Sequence, residues 1–208
     1  LLTNIGVPYH SHYTWESKKV LEVMHELDKF QPDVELRDRL LRFSASILRA
    51  RNIDKVFAVF CGAEGYNGKS AYIRMLEMLF KSKMVKMAIE ALSGVNKNAS
   101  GPSPHMARLK GSLLTVLQES DISDNLRGSL VKLLTGNDSF FARKNHQDGE
   151  DIDPTSKFIL VCNVLGILSN PDNALKRRLF FFPFISVFQE GQNGNWDQQY
   201  QNRIFNMD

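Results

Sequence analysis

The sequence predicts an α/β fold, a central parallel sheet flanked by helices and preceded by a small helical element. Three observations carry that reading. From Lys55 onward, apolar runs of strand length alternate with stretches of helical spacing. The runs are apolar almost without interruption, as strands covered on both faces must be. One of them, Val56 to Cys61, passes through a short loop of small and polar residues into a helical pattern that opens on Gly68-Lys69-Ser70.

Before Lys55 the pattern is helical. Trp15, Val20, Val23, Met24, Leu27 and Phe30 recur at helical spacing among charges, which predicts an amphipathic helix over 15–30. Pro32 and Asp33 break it and start a second helix over about 34–51, with Leu36, Leu40, Phe43, Ile47 and Leu48 on its inner stripe. Neither helix carries a catalytic pattern, so both read as packing for the core.

The alternating part follows in order. After the strand at Val56 and the loop comes a helix from Lys69 to about Lys81, then a strand within Met84 to Leu92. A loop rich in Gly, Ser, Asn and Pro runs from Ser93 to Pro104, and a short helix over His105 to Leu109 leads into the strand Leu113 to Leu117. Ser123 is placed to cap a helix carrying Leu126, Leu130, Leu133 and Leu134. Strands Phe158 to Cys162 and Leu179 to Phe182 close the set. The resulting division is a helical collar or linker over 1–52, an α/β core over 53–190 and a Gln- and Asn-rich tail over 191–208. There is no internal repeat.

Composition narrows the functional classes. The chain has 208 residues, 43% hydrophobic and 24% charged, enough apolar material for a substantial core. A net charge of +3 does not by itself indicate a nucleic-acid partner, so that case rests on local clusters. No apolar run reaches the roughly 18 residues that cross a bilayer, and no signal-peptide pattern opens the chain. Cys61 and Cys162 both end apolar runs and read as buried free thiols in a reducing, intracellular setting, not as a disulfide or metal pair. The chain opens on Leu1 in the middle of ordinary sequence, which suggests a segment of a longer protein.

The candidate site begins at Ala63-Glu64-Gly65-Tyr66-Asn67-Gly68-Lys69-Ser70. A strand, a flexible loop and Gly-Lys-Ser at a helix start form a phosphate-binding loop. Small residues let successive N–H groups turn inward toward phosphate oxygens, and the helix N-terminus adds partial positive charge. Lys69 would reach the terminal phosphates of ATP, and the Ser70 hydroxyl would hold Mg²⁺. Ala63 stands where the motif has its first glycine, with Gly62 just before it.

A nucleotide hydrolase of this kind also needs a carboxylate at the end of a neighbouring strand, to bind Mg²⁺ and to activate the attacking water. Glu119 follows the most apolar strand in the chain and fits that role, with Gln118 before it. Asn163 closes the strand Phe158 to Cys162. A polar amide at the carboxyl end of a strand lies where open α/β sheets bind ligands, and it could orient water and sense the terminal phosphate. Capping a turn is the simpler role for such an Asn.

Taken together, these residues resemble the superfamily 3 DNA helicases, most closely the primase-helicases of poxviruses and other large DNA viruses. The resemblance runs from about Arg37 to Ile185. It rests on Asn67-Gly68-Lys69-Ser70, on Leu117-Gln118-Glu119, on Leu134-Thr135-Gly136-Asn137-Asp138 followed by Arg143-Lys144, on the strand ending in Asn163, and on Arg178 followed by Leu179-Phe180-Phe181-Phe182-Pro183-Phe184. Gln118 departs from the acidic pair that many relatives carry.

The resemblance implies an AAA+-like P-loop core that assembles into a homo-oligomeric, hexameric ring. Such a ring would use ATP and Mg²⁺ to translocate on single-stranded or forked DNA. It implies catalytic roles for Lys69, Glu119, Asn163 and Arg178, with Arg178 or its neighbour Arg177 acting as an arginine finger. It implies a DNA-contacting hairpin over about 139–154, with Arg143, Lys144 and His146 as the basic residues and Phe140 and Phe141 available for base stacking or core packing. A primase or other replication segment would accompany it in the full-length chain, and host cytoplasm would be the setting for a large DNA virus. The alternatives are a nucleotide kinase, a DNA-packaging ATPase and a ring-assembly module that binds nucleotide without unwinding. No Arg-rich lid supports the kinase, and the full set of candidate residues argues against a degenerate module.

Overall fold

The computed structural model describes residues 5, 7–62, 66–89, 103–118, 128–163 and 172–188. Its centre is a five-stranded sheet built from β1 (Phe57–Cys61), β2 (Met84–Ala88), β3 (Leu114–Gln118), β6 (Lys157–Cys162) and β7 (Leu179–Pro183). The spatial order is β2-β3-β6-β1-β7, and every neighbouring pair is parallel. The strand that leads into the Gly-Lys-Ser loop is therefore flanked by β6, which Asn163 follows, on one side and by β7 on the other. A separate antiparallel hairpin, β4 (Phe140–Arg143) with β5 (Gly149–Ile152), is inserted before β6.

Helices cover both faces, so the central strands are apolar throughout. On one face, Phe57, Val59, Leu117, Phe158 and Leu160 pack with the helix α5 (Gly128–Thr135) and with the inner side of the hairpin. On the other, Ala58, Phe60, Val116 and Ile159 pack with α1 (Lys18–Phe30), α2 (Val34–Ser46) and α3 (Lys69–Phe80). Strand alternation assigns successive residues of β1 to the two clusters. Short helices α4 (Pro104–Ala107) and α6 (Asn173–Lys176) precede β3 and β7. Among the described residues, no helix is long and apolar enough to cross a membrane.

The elements match the sequence reading with local differences. The first helix starts at Lys18, so Trp15 lies ahead of it and is 75% exposed, outside the buried stripe. The second ends at Ser46 and continues as a single 3₁₀ turn, Ile47–Arg49, because Ala50 takes a left-handed conformation (φ 52°) that terminates it. Asp33 caps that second helix, its carboxylate accepting from the N–H groups of Glu35 and Leu36. The second strand stops at Ala88, with Ile89 in a turn. The short helix starts one residue early, at Pro104, a favoured first helical position. Ser123 and Leu126 lie outside the described residues, as do the tail and all of the expected Ser93 to Pro104 loop before Ser103. Neither cysteine is in a disulfide; Cys162 is buried and Cys61 half-buried.

Candidate nucleotide site at the carboxyl edge of the sheet

The carboxyl ends of β1 and β6 lie side by side, with Cys61 in register with Cys162. Gly62 and Asn163 follow directly, and α3 returns from the loop between them. Lys69 is the first residue of α3 and only 6% exposed. Its ammonium donates to the carbonyl oxygen of Gly62 at 2.8 Å and to Oδ1 of Asn163 at 3.3 Å. Burial lowers the Lys69 pKa, and the thiols of Cys162 and Cys61 act in the opposite direction. Burial likewise pushes the Cys61 thiol up against the pull of Lys69. The site thus holds a partly desolvated cation on two neutral oxygens, an arrangement that a polyanion can exchange for its own oxygens.

The loop is shaped to keep that cation in place. Asn67, 5% exposed, donates from Nδ2 to the Gly62 carbonyl at 3.4 Å, and its Oδ1 accepts from the Lys69 N–H at 3.4 Å. A Cβ on Gly62 would stand 2.5 Å from Asn67 Nδ2 and 2.7 Å from the Phe184 carbonyl. Gly62 therefore provides the close backbone approach at the position just before Ala63, where the usual motif would place its first glycine. Gly68 caps α3 in the left-handed region (φ 87°), and a Cβ there would meet the Phe30 ring at 2.3 Å. Ser70, on the first turn of α3, is exposed.

The other candidate residues fall as follows. Ala63, Glu64, Gly65 and Glu119 lie outside the described residues; β3 ends at Gln118, immediately before Glu119 in the chain. Asn163 is brought to Lys69. Arg178 is not. It precedes β7, and its carbonyl accepts from the N–H of Phe57, the first residue of β1. The four strand steps from Phe57 to Cys61 put it roughly 13 Å along the sheet from the loop, at the opposite edge. One guanidinium nitrogen, Nη1, donates to the Ala174 carbonyl at 2.9 Å.

In the hairpin, Phe140 is buried, whereas Phe141 is 52% exposed. Lys144 and His146 are exposed in the turn, where His146 takes φ 56°; Arg143 sits half-buried at the strand end, its backbone paired with Ser103.

Three features of the site were not assigned from sequence. Phe30, at the end of α1, packs on Gly68. Phe188 lies beside it with ring centroids 5.8 Å apart and donates its N–H to the Tyr66 carbonyl at 2.8 Å. Gln31 donates to the Pro183 carbonyl at 2.9 Å, and Ser186 to the Lys29 carbonyl at 2.6 Å. The end of α1 and the segment after β7 thereby brace the loop from outside. Periodicity identifies Phe30 as an inward residue, but nothing in it tells which element the ring meets.

No known protein-family model matches the chain. Curated viral proteins do. The chain is 30% identical over 205 residues to the putative helicase 184R of Invertebrate iridescent virus 6, covering 96% of this chain and 21% of that protein. It is 34% identical over 161 residues to the putative helicase 022R of Frog virus 3, covering 76% and 16%. Against the putative primase C962R of African swine fever virus it is 24% identical over 174 residues, covering 83% and 18%. The NrS-1 C-terminal region, in its A-form apo structure, superposes over 89% of this chain and 42% of its own length with a TM-score of 0.68 at 19% identity. In sequence and fold the chain is primase-helicase-like, similar to one segment of those proteins of large DNA viruses. It spans about a fifth of the length of the curated relatives it matches. The primase-helicase-like domain places its Gly-Lys-Ser loop and Asn163 on adjacent strand ends, where ligands bind in open α/β sheets.

Proposed function

We propose that this domain is the ATP-hydrolysing motor of a viral DNA helicase of superfamily 3, working in a homo-oligomeric, hexameric ring on single-stranded or forked DNA. The observation that carries the proposal is the buried Lys69 ammonium held by Gly62 and Asn163 at neighbouring strand ends. That cluster fits the terminal phosphates of ATP in charge and position, and Ser70 is exposed beside it as a ligand for Mg²⁺. When bound, Mg²⁺ would neutralise charge on the phosphates.

This chain's own residues would do the rest. Lys69 would exchange its two neutral acceptors for phosphate oxygens. Backbone N–H groups at the start of α3 would add hydrogen bonds and the helix's partial charge. Asn163, released from Lys69, would orient the attacking water, and Glu119 would take its proton. Arg178, at the far edge of the sheet from its own loop, is in a position suited to the site of the next subunit in a head-to-tail ring. Lys144 and His146 on the hairpin turn, with Arg143 at its foot, would contact DNA phosphates.

The reading is tested by measuring mass in solution with and without an ATP analogue and single-stranded DNA. Nucleotide-dependent rings that retain DNA are the expected result; a monomer that binds neither nucleotide nor DNA refutes it.

A further inference from the structure

At the amino-terminal edge of the sheet, away from the nucleotide loop, a cleft of about 620 Å³ opens between α2 and the start of β7. Arg39, Arg42, Arg49, Arg177 and Lys157 line it, with Asp54 as the one lining carboxylate, and Phe43 and Phe180 contribute aromatic surface. Phe180 is 40% exposed, although it lies on a strand of the central sheet.

The charges in this cleft are unevenly answered. Lys157 is buried and held by Asp54 at 3.6 Å and by Oδ1 of Asn52 at 3.2 Å. Arg39 and Arg42 pair with Glu35 and Asp38 on their own helix, at 3.8 and 2.7 Å, in exposed ion pairs of the kind that contribute little and exchange readily. Arg49 and Arg177 have no carboxylate partner among the described residues. Lys157 and Asp54 answer each other, so four arginines against Glu35 and Asp38 at the rim leave the cleft net positive beside the exposed Phe180 ring, which suits a ligand that is anionic and flat in turn.

We infer that this cleft is a second binding site for single-stranded nucleic acid, distinct from the hairpin, in which arginines hold phosphates and Phe180 receives a base. Guanidinium groups match phosphate in two-pronged geometry, and an exposed aromatic ring stacks any base, so the site would be tolerant of sequence. Its location supports the assignment. Lys157, which lines the cleft, begins β6 five positions after the hairpin ends at Ile152, so the chain runs from the foot of the hairpin directly into the cleft. The site goes beyond the motor reading and does not depend on hydrolysis.

The test uses a fluorescent thymidine dodecamer without nucleotide, with anisotropy followed across a salt series. Arg39, Arg42 and Arg49 are exposed, and changing all three to Gln leaves the packing of α2 intact. Each arginine–phosphate pairing removed should lower the slope of log K against log salt by about 0.7, so the triple variant should show a slope smaller by about 2. Phe180→Ala should weaken binding about five-fold or more at every salt concentration with the slope unchanged. ATP-analogue binding, measured on the same proteins, should match the unaltered chain, which separates this inference from the motor reading. Unchanged affinity and slope in the triple variant overturn it. So does a parent chain that does not bind the dodecamer, or one that binds a glutamate dodecamer equally well.

Discussion

The Lys69 ammonium donates to the Asn163 side-chain oxygen across 3.3 Å, joining residues 94 positions apart at the ends of adjacent parallel strands. Both partners stay tied to neutral groups, so the pair is poised for exchange and is not locked as a salt bridge would be. Lys69→Ala removes the one buried cation of the loop and should abolish ATP binding, since no other side chain in the described loop carries positive charge. Equilibrium binding of a fluorescent ATP analogue checks this, with retained affinity contradicting the assigned role.

Gly68 occupies a left-handed conformation with the Phe30 ring against it. Gly68→Ala forces both a strained backbone and a clash, and should cost about 1–3 kcal/mol in urea unfolding. The companion Phe30→Leu in the Gly68→Ala background should recover part of that loss by clearing the clash. Full additivity of the two changes would show that Phe30 does not brace the loop.

Tyr72 gives a pH dependence with a definite sign. Its hydroxyl lies 2.8 Å from that of Ser44, and burial pushes its pKa up to about 12. The unfolded chain ionises near 10, so between pH 10 and 12 it holds fewer protons than the folded one, and stability falls as pH rises through that window. The loss contributed by this group should reach about 2–3 kcal/mol above pH 12. Urea unfolding of the parent and of Tyr72→Phe, each at pH 8.5 and about 11.5, isolates it. The variant should show the smaller alkaline loss, and equal losses would mean that Tyr72 is not the titrating group.

Arg178 and Lys69 sit at opposite edges of one sheet, so a shared active site requires two copies. Arg178→Ala protein and Glu119→Gln protein should each be nearly inactive, the latter by about 10²–10⁴-fold through loss of the base. In mixed rings of the proposed kind, some interfaces would pair an intact Glu119 with an intact Arg178, so part of the activity should return. Mixed rings without recovered activity would contradict the trans role, as would full activity of Arg178→Ala alone.

Much of this was legible in the residues because it is local. Continuous apolar runs give the parallel strands, and Gly-Lys-Ser after such a run gives the loop and the start of α3. The shift of the tight backbone approach to Gly62 was visible only as a departure at Ala63, since its cause, the Asn67 amide and the Phe184 carbonyl, comes from elsewhere in the fold. Helical spacing marks Phe30 and Phe43 as inward but cannot separate a ring that supports the nucleotide loop from one that lines a cleft at the other edge. Trp15 shows the opposite failure: it continues the apolar spacing of α1, yet the helix begins after it. The basic cleft is invisible in the sequence because Arg39 and Arg42 on α2, and Arg49 on the turn after it, converge with Arg177, over a hundred residues away, only through the order of the sheet.

Steady-state ATP hydrolysis with and without single-stranded DNA, in the presence of Mg²⁺, tests the role of Lys69 most directly when the parent chain is compared with Lys69→Ala. Turnover should rise when DNA is added and fall to background in the variant. Hydrolysis at the same rate in Lys69→Ala, or hydrolysis in the parent that is indifferent to DNA, would contradict a DNA-driven motor built on this loop.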